Sequence, residues 1–206
     1  LVGSILRNRR FQTQRSRIAK SDYLQIGCGP HIATGFINLD YRWVPGVDVV
    51  WDLNQGVPFP ANRFVRIFTE HCLEHLNETV LQQVLQEFRR VLKPGGRVRI
   101  VVPSLAIHAQ NYLRDQSDQD PEPAAAINRV FYSGHERISS SRWVNDGHHY
   151  MHDFASMSAQ LQRAGFVSVV PSACGQGADP GLVLDREDRA WESLYVEAAK
   201  PSEKTA

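Results

Sequence analysis

An open α/β fold on a mostly parallel sheet, in one domain, is what this sequence predicts. Three observations carry it. Short apolar runs, rich in β-branched and aromatic residues, recur between turn formers: YLQI at 23–26, FINL at 36–39, VDVVWDL at 47–53, FVRIF at 64–68 and RVRIVV at 97–102. Val80, Leu81, Val84, Leu85, Phe88, Val91 and Leu92 form one apolar stripe at helical spacing between the fourth and fifth runs. Strand, helix and strand make a βαβ unit, whose two strands lie parallel with a right-handed crossover.

The first strand stops at Gly27, inside LQIGCGP. The second closes on Asp40 and the third on Asp52. Asn77 is placed to cap the amphipathic helix, and Lys93-Pro94-Gly95-Gly96 reads as its stop and the turn into the fifth strand. Residues 103–150 are less regular, with DQSDQDPEP at 115–123 reading as an exposed loop. An insertion at about 103–152, after a strand end, fits a lid or substrate wall. Phe154, Met157, Leu161 and Ala164 then share a helical face, ended by Gly165. FVSVV at 166–170 and SLYVEAA at 193–199 are the closing strands. The division is a basic arm at 1–22, one domain at 23–200 and a tail at 201–206.

Composition fits a globular protein: 206 residues, 42% hydrophobic and 22% charged. The net charge of +1 gives no sign of nucleic-acid binding. No apolar run reaches the length of a membrane span. Cys28, Cys72 and Cys174 form neither a disulfide framework nor a zinc spacing, so reduced thiols and a cytoplasmic protein are expected. Arg7, Arg9, Arg10, Arg15, Arg17 and Lys20 sit in an arm without acids. A solvated arm is the plainer reading, and weak contact with an anionic surface the other. Oligomeric state has no signal here.

In an open α/β sheet, ligands sit beyond the carboxyl ends of the strands. Gly27 and Gly29 allow a sharp turn and close backbone approach, and an acid closing the next strand can accept from a ribose diol. The dinucleotide pattern G-x-G-x-x-G lacks its third glycine in GCGPHI. Asp40 also follows Gly27 by only 13 residues, against about 20 for that pattern. A full helix hardly fits in the gap, so a phosphate-binding helix end is weakly specified. A ligand with adenosine and ribose but no phosphate fits better, with Asp52 placed to orient an adenine amino group.

Six segments, taken in order, resemble a class I S-adenosylmethionine-dependent methyltransferase of the methyltransferase type 11 kind. They are LQIGCGP, INLD, WDLNQGVPFP, FTEHCLEHL, LQEFRRVLKPGGRVRIVVP and LQRAGF. The resemblance is dense over 23–103 and looser over 153–198. It implies a Rossmann-like sheet with an antiparallel last strand and helices on both faces, and S-adenosylmethionine as cofactor. It also implies roles: Gly27, Cys28 and Gly29 beside the methionine part, Asp40 on the ribose, Asp52 and Leu53 at the adenine, and Glu70 and His71 at the methionine end or acceptor pocket.

Methyl transfer to a hydroxyl or amine calls for alignment, water exclusion and a base near neutral pKa. Two clusters offer one. In Glu70-His71-Cys72-Leu73-Glu74-His75, His71 is the candidate base, while His75 suits capping or packing. His71, Glu74 and His75 have an H-x-x-E-H order but no third ligand in sequence, so no metal is expected. In Asp146-Gly147-His148-His149-Tyr150-Met151-His152-Asp153, His149 or His152 is a candidate base and Asp153 a helix cap. Arg129, His135 and Trp143 in the insertion suit a polar acceptor. The resemblance implies a small or glycan-type acceptor, a sugar hydroxyl in polysaccharide assembly being one. A non-catalytic S-adenosylmethionine-binding protein and a nucleotide-dependent oxidoreductase are the alternatives.

Overall fold

The computed structural model describes residues 21–115 and 148–202. The arm at 1–20, residues 116–147 with Arg129, His135 and Trp143, and residues 203–206 lie outside the described residues. Seven strands form one sheet: β1 (Tyr23–Ile26), β2 (Ile37–Asp40), β3 (Val49–Val50), β4 (Phe64–Glu70), β5 (Leu92–Pro103), β6 (Val167–Ser172) and β7 (Ser193–Ala199). Their order is β3-β2-β1-β4-β5-β7-β6. Strands β1 to β5 pair parallel, and β7 runs antiparallel to β5 and β6. The chain works outward from β1 to β3, then returns to place β4 on the other side of β1. That reversal opens a crevice above the carboxyl ends of β1 and β4.

Among the described residues, three helices accompany the sheet: α1 (Glu78–Val91), α2 (Leu105–Asp115) and α3 (Phe154–Arg163). Asn77 caps α1 by accepting from the Val80 N–H at 3.0 Å. The α1 stripe buries Leu81, Val84, Leu85, Phe88 and Val91. Asp153 and Ser156 form a reciprocal capping box at the start of α3. Both helices share a core with Leu24, Ile26, Ile37, Leu39, Ile67, Val98, Ile100 and Val196. Alternation along the strands sends their neighbours to the other face. There Phe36, Phe68, Val101, Leu182 and Tyr195 form a smaller apolar cluster. Buried Arg99 lies on that face too, paired with Asp185 and with Glu197 at 2.7 Å.

The predicted fold class stands, and several elements differ in detail. β3 is two residues long, so Asp52 does not end a strand. It caps a short 3-10 turn, Leu53–Gln55, and accepts from the Asn54 N–H at 3.0 Å. KPGG lies inside β5, which begins at Leu92. Gly95, at φ 75°, shapes a bulge there, and the ladder continues because Gly95 and Gly96 bond the backbone of Lys200 at 3.1 and 2.8 Å. Residues 27–36 hold turns and no helix, as the short gap implied. α2 was not anticipated. Asp22, assigned to the arm, bonds Arg63 at 2.7 Å and Lys93 at 3.1 Å. No helix among the described residues is long and apolar enough to cross a membrane.

Candidate active site

The turn after β1 is fixed from two sides. The Gly27 N–H donates to Leu39 O at 2.8 Å, and the Gly29 N–H donates to Asp40 Oδ2 at 2.7 Å. The other Asp40 oxygen accepts from the Arg42 N–H at 2.7 Å. Gly27 sits at φ 69°, and a Cβ there would fall 2.4 Å from Cys72 Cβ. Only glycine meets both demands. Gly29, at φ 51°, faces open space. Cys28 is buried, and burial, aided by the Asp40 charge, pushes its thiol up to about 12. It is an inert wall of the turn. Leu53 packs against the core from the Asp52-capped turn.

Glu70 ends β4 and accepts from the Arg186 N–H at 3.1 Å. Burial raises its carboxyl above the ordinary value. The next residue, His71, holds φ 47°, a left-handed backbone that β-strand ends rarely adopt. This twist is the kind of local strain that active sites retain. The His71 ring Nε2 is 2.8 Å from Ser193 Oγ, while Nδ1 lies 3.4 Å from Glu74 Oε1. The Ser193 hydroxyl also bonds Arg189 O at 2.7 Å.

Glu74 is fully buried, and among the described residues neither of its oxygens has a hydrogen-bond partner. Burial alone drives its carboxyl upward, yet His71, His75 and His148 together hold it below the ordinary value. His75 Nε2 and His148 Nε2 lie 4.0 and 3.9 Å from Oε1. The Glu74 carbonyl accepts from the His149 N–H at 2.7 Å, which straps the end of the insertion onto this turn.

The histidine-rich stretch is thereby sorted. His148, which the sequence left unselected, turns to Glu74. His149 is exposed and contributes its backbone. His152 is buried, its carbonyl accepting from the Leu105 N–H at 2.9 Å, and burial lowers its pKa. His108 on α2 was also missed. It is buried, with Nε2 3.9 Å from Glu192 Oε2, and burial lowers its pKa. A helical spacing of apolar residues would have flagged α2, but its buried face is built around that histidine. The β1 turn and the β4 end meet directly, since Ile26 pairs with Thr69 and Gly27 abuts Cys72. Gly27, Gly29, Asp40, Glu70 and His71 therefore share one edge. Asp52 and Leu53 belong to the segment just beyond β3.

Strand order, the antiparallel β7 and the glycine turn define the fold of class I S-adenosylmethionine-dependent methyltransferases, and the resemblance read from the sequence is borne out. More particularly, residues 43–100 match the family model described as a methyltransferase domain. The S-adenosylmethionine-dependent methyltransferase SibL, in its apo form, superposes with a TM-score of 0.52 at 18% identity, over 90% of this chain and 51% of that one. Burkholderia thailandensis 1,6-didemethyltoxoflavin-N1-methyltransferase, solved with 1,6-didemethyltoxoflavin and S-adenosylhomocysteine, gives 0.52 at 14% identity, over 87% and 71%. Haemonchus contortus phosphoethanolamine N-methyltransferase 2, solved with phosphomonomethylethanolamine and S-adenosylhomocysteine, gives 0.51 at 15% identity, over 92% and 51%. The chain spans about half the length of the first and third of these. A sequence search of curated proteins finds no match.

Proposed function

We propose that the chain transfers a methyl group from S-adenosylmethionine to a small or glycan-type acceptor, with a sugar hydroxyl as the favoured nucleophile. The observation that carries this reading is the lock between the β1 turn and β2: Gly29 N–H to Asp40 Oδ2 at 2.7 Å, on the sheet order 3-2-1-4-5-7-6. The residues fit the cofactor. Space opens beside Gly29, and each Asp40 oxygen keeps lone-pair capacity for a ribose diol after its one backbone bond. Gly27 and Gly29 would flank the methionine part, Asp52 and Leu53 the adenine, and Glu70 the methionine end. Nicotinamide dinucleotides fit less well, because no helix follows β1 to receive a pyrophosphate.

The cofactor supplies an electrophilic methyl group on a sulfonium. The chain aligns the acceptor with it and keeps water out. His71 is the proposed base, its ring held at the end of β4 with Nδ1 3.4 Å from Glu74 Oε1 and Nε2 2.8 Å from Ser193 Oγ. His152 and the exposed His149 then frame the acceptor side rather than take its proton. Arg129, His135 and Trp143 are proposed acceptor contacts from the insertion.

Calorimetric titration tests the assignment. S-adenosylmethionine and S-adenosylhomocysteine should bind the purified chain and NAD should not. Asp40→Ala should weaken both sulfur ligands about 10–100-fold, the cost of charge-assisted hydrogen bonds to a diol. Tight NAD binding, with neither sulfur ligand bound, refutes the reading.

A further inference from the structure

His71, Glu74 and His75 lacked a third metal ligand in the sequence, and the fold supplies one. His148 arrives from the far end of the insertion and stops 3.9 Å from Glu74 Oε1, while His75 stands 4.0 Å from the same oxygen. One potential ligand atom from each of Glu74, His75 and His148 lies within 4.8 Å of the others. The Glu74 side chain is 0% exposed and His148 9% exposed, whereas His75, at 36%, opens the cluster to solvent. Among the described residues, neither Glu74 oxygen has a hydrogen-bond partner, and the Nδ1 atoms of His71, His75 and His148 have none either. A buried carboxylate in that condition calls for a cation.

We propose that Glu74, His75 and His148 bind one divalent transition-metal ion, with a coordination position left open. Two imidazoles and one carboxylate suit zinc, and also the neighbouring first-row ions. Metal–ligand bonds of about 2.0–2.2 Å in a tetrahedral site place ligand atoms roughly 3.4 Å apart. Closing to that spacing shortens the two contacts to Glu74 Oε1 by about half an ångström and the widest separation by up to about 1.4 Å, a movement that falls on the half-exposed His75 ring. The scaffold is already set. His75 closes the 3-10 turn Leu73–His75, and backbone bonds from His149 and Tyr150 to Glu74 O pin the segment carrying His148. His71 Nδ1 lies 3.4 Å from the same Glu74 Oε1 and adds a third imidazole beside it. The open position would take water or, if the methyl-transfer reading holds, an acceptor oxygen, whose proton the ion makes easier to lose.

The test is binding, read without donor or acceptor. Chelator-stripped chain is titrated with zinc against a chromophoric competitor, and with cobalt(II) while its visible absorption is recorded. One equivalent should bind, with the intense visible bands of low-coordinate cobalt. His75→Ala and His148→Ala should each weaken binding about 100-fold or more, while His149→Ala should leave it within about twofold. Glu74→Gln should do as the first two, and far-UV circular dichroism shows whether it folds. His75→Ala, at a half-exposed position, carries the test if it does not. Absence of stoichiometric binding overturns the proposal, as does wild-type affinity in His75→Ala and His148→Ala. Glu74 would then be balanced by the histidines around it alone. Metal binding by a chain that neither binds S-adenosylmethionine nor transfers a methyl group would leave this site standing and remove the function proposed above.

Discussion

Two neighbouring parts of the crevice edge are built in opposite ways. At the ends of β1 and β2, polar groups answer one another. Gly27, Gly29 and Arg42 donate to Leu39 O and to the two oxygens of Asp40, and the thiol beside them is inert. Past β4, the same edge gathers His71, Glu74, His75 and His148, with a strained backbone at His71 and a buried carboxylate that no described residue hydrogen-bonds. On the proposed reading, the first part holds the ligand without reacting. The second keeps unmet polar capacity, which is what proton or metal chemistry requires. The difference suggests that binding and chemistry can be separated by mutation, although Gly27 and Cys72 touch.

The largest expected effect lies on the reactive side. His71→Ala should lower the rate of methyl transfer about 10²–10⁴-fold, the usual contribution of a general base, as measured by S-adenosylhomocysteine release with the acceptor in excess. Donor affinity in that variant should stay within a few-fold. Asp40→Ala should show the reverse pattern, with affinity falling about 10–100-fold and the rate at saturating donor changing much less. Gly27→Ala sharpens the contrast from the structural side. Positive φ and contact with Cys72 should cost about 1–3 kcal/mol in urea unfolding. Asp153→Ala removes the cap of α3 and should cost about 1 kcal/mol, with donor affinity unchanged.

A pH series reads the buried histidines beside these parts without mutation. Burial lowers the pKa of His108 and His152 from 6.5, so the folded state binds fewer protons than the unfolded chain. Their contribution to stability is complete above about pH 6.5 and is lost as pH falls through the lower folded-state values. Unfolding midpoints should therefore drop between pH 7 and 5. His152→Gln should flatten that slope.

Local pattern made much of this legible. β1 at 23–26 and β7 at 193–199 follow directly from alternating or apolar runs closed by turn formers, and Asn77 marked the start of α1. Tertiary placement made the rest invisible. α2 escaped because it buries His108 and exposes Leu113, so no apolar stripe appears. Arg99, in RVRIVV, looks like the solvent side of a strand. It is buried because Asp185 and Glu197 meet it from distant segments. Asp40 was readable, since a strand end and a glycine turn fix its place. Asp52 was read as a strand end because the apolar run VDVVWDL outlasts the two residues that pair. The choice of His148 over His149 depends on two backbone bonds to Glu74 O, which no spacing in the sequence encodes.

The division of labour is tested most directly by titrating S-adenosylhomocysteine into wild-type chain, Asp40→Ala and His71→Ala under one set of conditions. The account predicts tight binding by wild type, a loss of about 10–100-fold in Asp40→Ala and near-wild-type affinity in His71→Ala. Equal affinity in wild type and Asp40→Ala, with binding lost in His71→Ala, would contradict it.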